Sequence, residues 1–286
     1  MTTFKTLLKQ HAATLYFILT FAITWGCMAL VAGPGGFPLT GERFEAVAPL
    51  VYTAMLVGPS AAAILLTALI DGRVGFRELG SRLLKWRVGG RWYAVALLAT
   101  PLLATLVLLV LSLYSPEFLP AIFTTDEKAT LLLTGIGVGL AVGFFEELGW
   151  IGFVVPHMRT RYSVLASGLI VGFLWGVWHF PPFWEADTFS GAFPLLLLIV
   201  RLFAWLPPYR VLMVWVYDHT DSLLVAILMH ASLDASMLIL PAMTLTGRSL
   251  VTWILAWSLA LWVCVAVLAL ATSKQTTRQT IREQAR

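Results

Sequence analysis

Long apolar blocks alternate along the chain with short polar connections. The blocks lie near 12–32, 46–70, 93–114, 129–155, 164–180, 193–217, 222–240 and 250–271. A helix crosses a bilayer with about 20 mostly apolar residues. The pattern therefore predicts an all-α, polytopic membrane helix bundle of about eight transmembrane helices in a single integral membrane domain over 1–286. The block at 164–180 is short, and Pro181 and Pro182 end it, because proline has no N–H with which to continue a helix. Gly58 and Pro59 predict a kink in the second block, which neighbouring helices can tolerate. The first block lacks a small-residue cleavage site and is long enough to span, so it reads as a first span rather than a signal peptide.

Composition agrees with this pattern. Of 286 residues, 59% are hydrophobic and 12% charged, about half the charged share of a soluble domain. Mean hydropathy is +0.85. Cys27 and Cys264 both fall inside apolar blocks and read as small buried hydrophobes rather than a disulfide or a metal motif. The net charge of +4 does not point to nucleic acid, because the basic residues are dispersed through short loops, the distribution that orients membrane proteins. Lys5, Lys9, the 71–92 loop, Arg159, Arg161 and the tail from Lys274 to Arg286 carry fourteen Lys and Arg on one side, against Arg43, Lys128 and Arg248 on the other. Both termini are thus expected in the cytoplasm, with a bacterial plasma membrane as the expected location and the lipid bilayer as first partner. Within 73–92, Phe76, Leu79, Leu83, Leu84, Trp86 and Trp92 recur among the basic residues in a helix-like rhythm, which fits an anchoring loop or a surface helix on the inner leaflet.

Few ionisable groups remain at membrane depth: Glu146, Glu147, His179, Arg201, Arg210, His230 and Asp234. A charge near the bilayer centre costs at least ~2.5–3.5 kcal/mol, so such groups face the interior, pair with one another and mark function. His230 and Asp234 are four apart on one face of the seventh helix, as are Trp175 and His179 on the fifth. Gly135, Gly139 and Gly143 on the fourth helix, and Gly168, Gly172 and Gly176 on the fifth, form small-residue strips that permit close approach. The depths disagree. Measured from a turn at Arg159 and Thr160, His179 lies six residues further in than Glu146, roughly 9 Å at ~1.5 Å per residue. A longer connection over 157–167, or a break at Pro156, would reconcile them.

One carboxylate and two imidazoles are the donor set of a catalytic zinc site with an open position for water. Without metal, a glutamate aided by a histidine can act as general base on water, with the second histidine and its neighbour stabilising an oxyanion. Either chemistry is hydrolysis, of a peptide bond in the first instance. A buried ion-pair network, or the proton relay of a transporter, fits the same residues.

Three segments take the reading further: GFFEELGWIGFVVP at 143–156, FLWGVWHFP at 173–181 and WVYDHTDSLLVAILMHASLDAS at 215–236. In order, spacing and flanking residues they resemble the motif blocks of the CPBP family of intramembrane proteases, which includes type II CaaX prenyl endopeptidases and bacterial self-immunity proteins. LVGPSAAAILLTALIDG at 56–72 is similar to that family's second helix. The resemblance implies a catalytic core at about 129–240 and an endopeptidase acting on a peptide or protein substrate, including membrane-anchored ones. By it, Glu146 activates water with help from His179. His230 and Asp234 bind the oxyanion, or Glu146, His179 and His230 hold a metal such as zinc. Glu147 pairs with the arginine that closes the first block. Here that arginine is Ile151, the usual phenylalanine before the second-block histidine is Trp175, and the usual asparagine is Asp234. A carboxylate ligates metal well but donates to an oxyanion only when protonated, so Asp234 favours the metal version.

With Ile151 in place, Glu147 needs another cation, a proton, or water. Arg210, and after it Arg201, is the expected substitute. Two rivals follow: an inactive relative acting as an immunity or binding protein, and a proton-coupled transporter, which the absence of repeated halves disfavours. His219, Asp218, His157, Glu185 and Asp187 read as solvated or interfacial, while Trp150, Trp175, Trp178 and Trp184 flank the cluster and could line a substrate groove.

Overall fold

The computed structural model describes residues 2–39, 41–242 and 244–284. All regular structure among them is helical. In chain order the helices are α1 (Thr2–Gln10), α2 (Ala12–Ala32), α3 (Gly41–Ile70), α4 (Gly72–Leu83), α5 (Gly90–Ser112), the single turn α6 (Ala121–Thr124) and α7 (Lys128–Gly149). After them come α8 (Val155–Arg159), α9 (Val164–Trp178), the turn α10 (Phe180–Phe183), α11 (Ala192–Ile199), α12 (Leu206–Thr220), α13 (Leu223–Ile239) and α14 (Gly247–Gln284). Arg286, at the end of the basic tail, lies outside the described residues, as do the side chains of Lys274, Arg278 and Arg282.

Each of the eight apolar blocks is helical, but they are not equivalent. Six runs are long and apolar enough to span: Ala12–Gly35, Gly41–Ile70, Gly90–Ser112, Lys128–Arg159, Ala192–Thr220 and Gly247–Ala271. The other two, α9 and α13, have 15 and 17 residues. At ~1.5 Å per residue they reach roughly 22–26 Å, short of the ~30 Å hydrocarbon layer. Both start sharply. Ser163 accepts from Ala166 N at 3.1 Å and Ser222 from Val225 N at 3.2 Å, side-chain caps for N–H groups that have no partner in the first turn.

Two spanning runs contain a turn of π-helix, Trp150–Val154 and Val200–Ala204. Prolines shape both. Pro156 has no N–H for the carbonyl four residues back, Gly152, and Arg82 Nη2 takes that oxygen at 2.9 Å instead. Pro208 likewise leaves Ala204 O free, and Ser258 Oγ (2.5 Å) and Trp262 Nε1 (3.2 Å) donate to it. The fourth run does not break at Pro156 but continues to Arg159, and the turn into α9 is short.

The glycine strips serve close packing, each against a different partner. Gly135, Gly139 and Gly143 on α7 lie against Ile239, Ala231 and Ile227 of α13, while Gly168 and Gly172 on α9 lie against Val211 and Pro207 of α12. α7·α13 and α9·α12 are accordingly among the main helix pairs of the bundle. The basic connections meet at one end, where Lys9 pairs with Asp71 (3.5 Å), Lys85 with Asp221 (3.1 Å) and Arg159 with Asp218 (2.6 Å). Exposed pairs of this kind stabilise little, but they show that these loops share one face. The 73–92 segment is more than an anchor: α4 docks through Arg82, which also donates to Tyr217 OH at 2.8 Å, and Ser222 Oγ donates to Lys85 O at 2.7 Å.

Candidate active site

Glu146 and Glu147 are buried at the end of α7, 3% and 0% exposed, and the two have different partners. Glu147 Oε1 receives Arg210 Nη1 of α12 at 2.7 Å and His230 Nδ1 of α13 at 2.6 Å. Arg210 is itself fully buried, and its guanidinium lies over the Trp175 ring, 4.2 Å from the centroid. A buried carboxylate needs such a charged partner, since leaving it unpaired costs several kcal/mol. Arg201 is turned elsewhere: it pairs with Glu185 of the 184–191 loop at 2.5 Å and lies over Phe183.

Among the described residues, Glu146 has no cation within ion-pair distance. Its Oε2 accepts two indole N–H groups, Trp150 Nε1 at 3.1 Å from the π turn and Trp175 Nε1 at 2.9 Å from α9. The same Trp175 ring meets His179 edge-on at a centroid distance of 5.4 Å and His230 at 5.2 Å. Trp175 is thus the common neighbour of Glu146, His179 and His230. Among the described residues no hydrogen bond joins Glu146 directly to either histidine. Trp175 lies one helical turn before His179, and its indole is the link between Glu146 and α9.

His179 is half-buried at the C-terminal end of α9, its Nδ1 2.8 Å from Trp175 O. Trp178, beside it, donates to Thr24 Oγ1 at 2.9 Å, while Trp25 Nε1 donates to Trp178 O at 3.0 Å. His230 Nε2 lies 3.2 Å from Asp234 Oδ2, but the two are not aligned as a hydrogen bond, and each lacks a bonded partner. Glu147 Oε2, Arg210 Nε and Arg210 Nη2 are also buried without a hydrogen-bond partner. Unpaired polar atoms gathered at one place are expected of a site that handles water or a polar substrate.

The fit to a metal is poor. His230 Nδ1 is engaged with Glu147, His179 Nδ1 with Trp175 O, and one oxygen of Glu146 with two indoles. Among the described residues, no three His, Cys, Asp or Glu are placed to hold one ion. The set Glu146, His179 and His230, expected as the ligands of a zinc, is not placed around one ion among the described residues, although the hydrogen bonds to Nδ1 of each histidine are of the kind that orients a metal ligand and leave Nε2 free.

The remaining candidates stand apart from the cluster. Asp218 is taken by Arg159, His219 packs on Trp92 and Trp215, and His157 Nδ1 faces Phe153 O at 2.8 Å. Trp184 stacks on Phe180 rather than on the cluster. The sequence alone placed Trp150 and Trp175 as groove lining. Their role as donors to Glu146, and the part of Trp25 and Arg82, went unread. The only local signal was Pro156, four residues after Gly152.

The fold and cluster define a helical membrane protein with a glutamate and histidine site buried in its interior. Residues 128–236, which carry all five site residues, match the model of a family described as type II CAAX prenyl endopeptidase, Rce1-like. A stretch of 111 residues, 38% of this chain, is 26% identical to a protein of Methanococcus maripaludis named CAAX prenyl protease 2, and it spans 39% of that protein's length. The family resemblance carried by the three motif blocks is thereby shown.

Proposed function

We propose that the chain is an intramembrane endopeptidase and that Glu146 is the base that activates water. The observation that carries this is the contrast between the paired glutamates. Glu147 is committed to Arg210 and His230, whereas Glu146 is held only through one oxygen by two indole N–H groups. Two donors on one oxygen fix the carboxylate plane and leave the other oxygen to accept from water. With Nδ1 turned to Trp175 O as a donor, His179 has Nε2 as an acceptor that can help position that water. Glu146 takes a proton as the water oxygen bonds to the scissile carbonyl carbon, and passes it to the leaving nitrogen as the C–N bond breaks. His230, charged between Glu147 and Asp234, can donate from Nε2 to the oxyanion that forms between those steps. Arg210 and Glu147 orient His230 and the Trp175 ring. The name of the Methanococcus relative makes a prenylated C-terminal peptide the first substrate to assay. By the charge asymmetry, the face carrying the basic loops is cytoplasmic, which a reporter fused after Asp71 would check.

The test is Glu146→Gln in purified, reconstituted protein, with metal analysis of the wild type alongside. Peptide cleavage should be lost while helicity and thermal stability are kept. Retained cleavage would remove Glu146 from the mechanism. Stoichiometric zinc whose removal abolishes cleavage would replace the unassisted base with a metal-assisted one. The inactive-relative reading draws on Ile151. It would be established by a wild type that cleaves nothing and an Ile151→Arg variant that does.

A further inference from the structure

A crevice of about 690 Å³ lies on the basic-loop face, between the start of α2 and the α8–α9 turn, away from Glu146. Its lining changes character with depth. At the mouth are Lys9, His11, His157 and Arg161, and among the described residues no Asp or Glu lines it, Asp71 standing beyond Lys9. The walls then become apolar, with Phe17 and Ile18 on α2 and Ile170 and Leu174 on α9. Counted along the helices, Phe17 and Ile18 lie roughly 8–9 Å below the start of α2. Ile170 and Leu174 lie roughly 9 and 15 Å below the start of α9. Ile18 and Ile170 are exposed on the outside of the bundle, 59% and 38%, so the crevice opens sideways where lipid tails run.

We infer that this crevice binds one anionic phospholipid from the leaflet on the basic-loop side, phosphate at the mouth and the upper part of an acyl chain against the apolar walls. The volume suits a bound small molecule, and the polarity gradient matches the order of groups in a phospholipid. Charge decides between lipid types. Lys9 and Arg161 each favour a net negative headgroup by about 1 kcal/mol near a membrane surface, Asp71 being the one carboxylate paired with either. Lys9 reaches Asp71 only at 3.5 Å with its side chain 69% exposed, a weak tie that leaves its charge available. The inference does not depend on the peptidase reading.

The experiment is native mass spectrometry of the full chain in zwitterionic detergent, with phosphatidylglycerol or phosphatidylcholine added. Wild type should retain one phosphatidylglycerol and release phosphatidylcholine, and inorganic phosphate should not displace the lipid. Lys9→Gln with Arg161→Gln should lower retention about tenfold or more, while Arg73→Gln with Arg77→Gln, the same charge loss elsewhere, should leave it unchanged. Thr14→Trp fills the crevice without touching charge and should also prevent retention. Ile170→Trp is the substitute if Thr14→Trp does not elute at wild-type size. Equal retention of both lipids, equal loss in the two charge variants, or full retention in the filled crevice would each overturn the inference. Displacement by phosphate would show an anion site with no use for the apolar walls, and would overturn it as well.

Discussion

Replacing Arg210 by methionine removes one side chain and leaves Glu147 with His230 Nδ1, at 2.6 Å, as its remaining partner. Glu147 Oε1 loses the donor at 2.7 Å, in a position where both partners are fully buried. Breaking a buried pair by taking one partner away costs about 3–5 kcal/mol, because the remaining charge stays desolvated. The guanidinium also lies 4.2 Å from the Trp175 ring centroid, a contact worth about 2 kcal/mol in a dry setting. These terms overlap and are not additive, so about 3–5 kcal/mol is the expected loss for Arg210→Met alone. Adding Glu147→Gln removes the charge that Arg210 balanced and keeps an acceptor for His230. The double variant should then recover most of the loss, since Arg210 Nε and Nη2 had no partner and the wild-type pair was imperfectly satisfied. The assay is a double-mutant cycle, with denaturant unfolding in micelles as one readout and peptide cleavage as the other. Cleavage should fall in Arg210→Leu, because the Trp175 ring and His230 both lose a support. Ile151→Arg added to it should restore part of the activity, since position 151 is four residues from Glu147. Stability losses that simply add would show that the pair is not coupled. The account of Glu147 as a committed, structural carboxylate would then be wrong.

Three other changes isolate single features. Trp25→Phe leaves Trp178 O without its donor at 3.0 Å; about 1–3 kcal/mol should be lost, and hydrogen exchange over 175–183 should speed up while other segments keep their rates. Gly139→Val should cost at least about 1–3 kcal/mol, because a Cβ there would press on the Ala231 carbonyl and come within 3.0 Å of Ala235 N. Gly137→Ala, with nothing within 4 Å, is the control that should leave unfolding unchanged. Arg82→Met uncaps Gly152 O in the π turn that carries Trp150. The expectation is a lower kcat at unchanged KM with partial rescue by Arg82→Lys, and a KM effect alone would count against positioning.

What the sequence made legible follows from local rules. Hydrophobic blocks mark helices through the bilayer requirement. Glycine every fourth residue marks a close contact, and membrane-depth ionisable residues mark the interior cluster. Ile151 even pointed to a substitute cation, and Arg210 does meet Glu147. The rest depends on contacts between distant segments. Periodicity cannot tell that the α7 strip faces α13 while the α9 strip faces α12. Nor can it show that the first oxygen of Glu147 takes both Arg210 and His230, which leaves Glu146 to two indoles. The zinc ligand set was inferred from residue types. Whether donors converge depends on rotamers that Trp175 O and Glu147 fix. The depth mismatch assumes ideal helices, whereas a π turn over Trp150–Val154 lies between Glu146 and the turn, and the Trp175 indole reaches Glu146 at 2.9 Å.

The two short helices explain why the polar site lies where it does. At about 22 Å, α9 cannot cross the hydrocarbon layer, so its last carbonyls end at a depth where water is scarce. Helix ends leave their final carbonyls without intrahelical donors, and at that depth each must be satisfied by protein. The bundle supplies a side-chain donor for Trp178 O, Trp25 Nε1, while Trp175 O takes both the backbone N–H and the ring Nδ1 of His179. The π turn repeats the arrangement on α7. There Pro156 frees Gly152 O, Arg82 answers it, and the widened turn carries Trp150, whose indole reaches back to Glu146. In both places a carbonyl without a helical partner is answered by a side chain from a distant segment, Trp25 or Arg82, and each irregularity lies beside an indole or imidazole of the site.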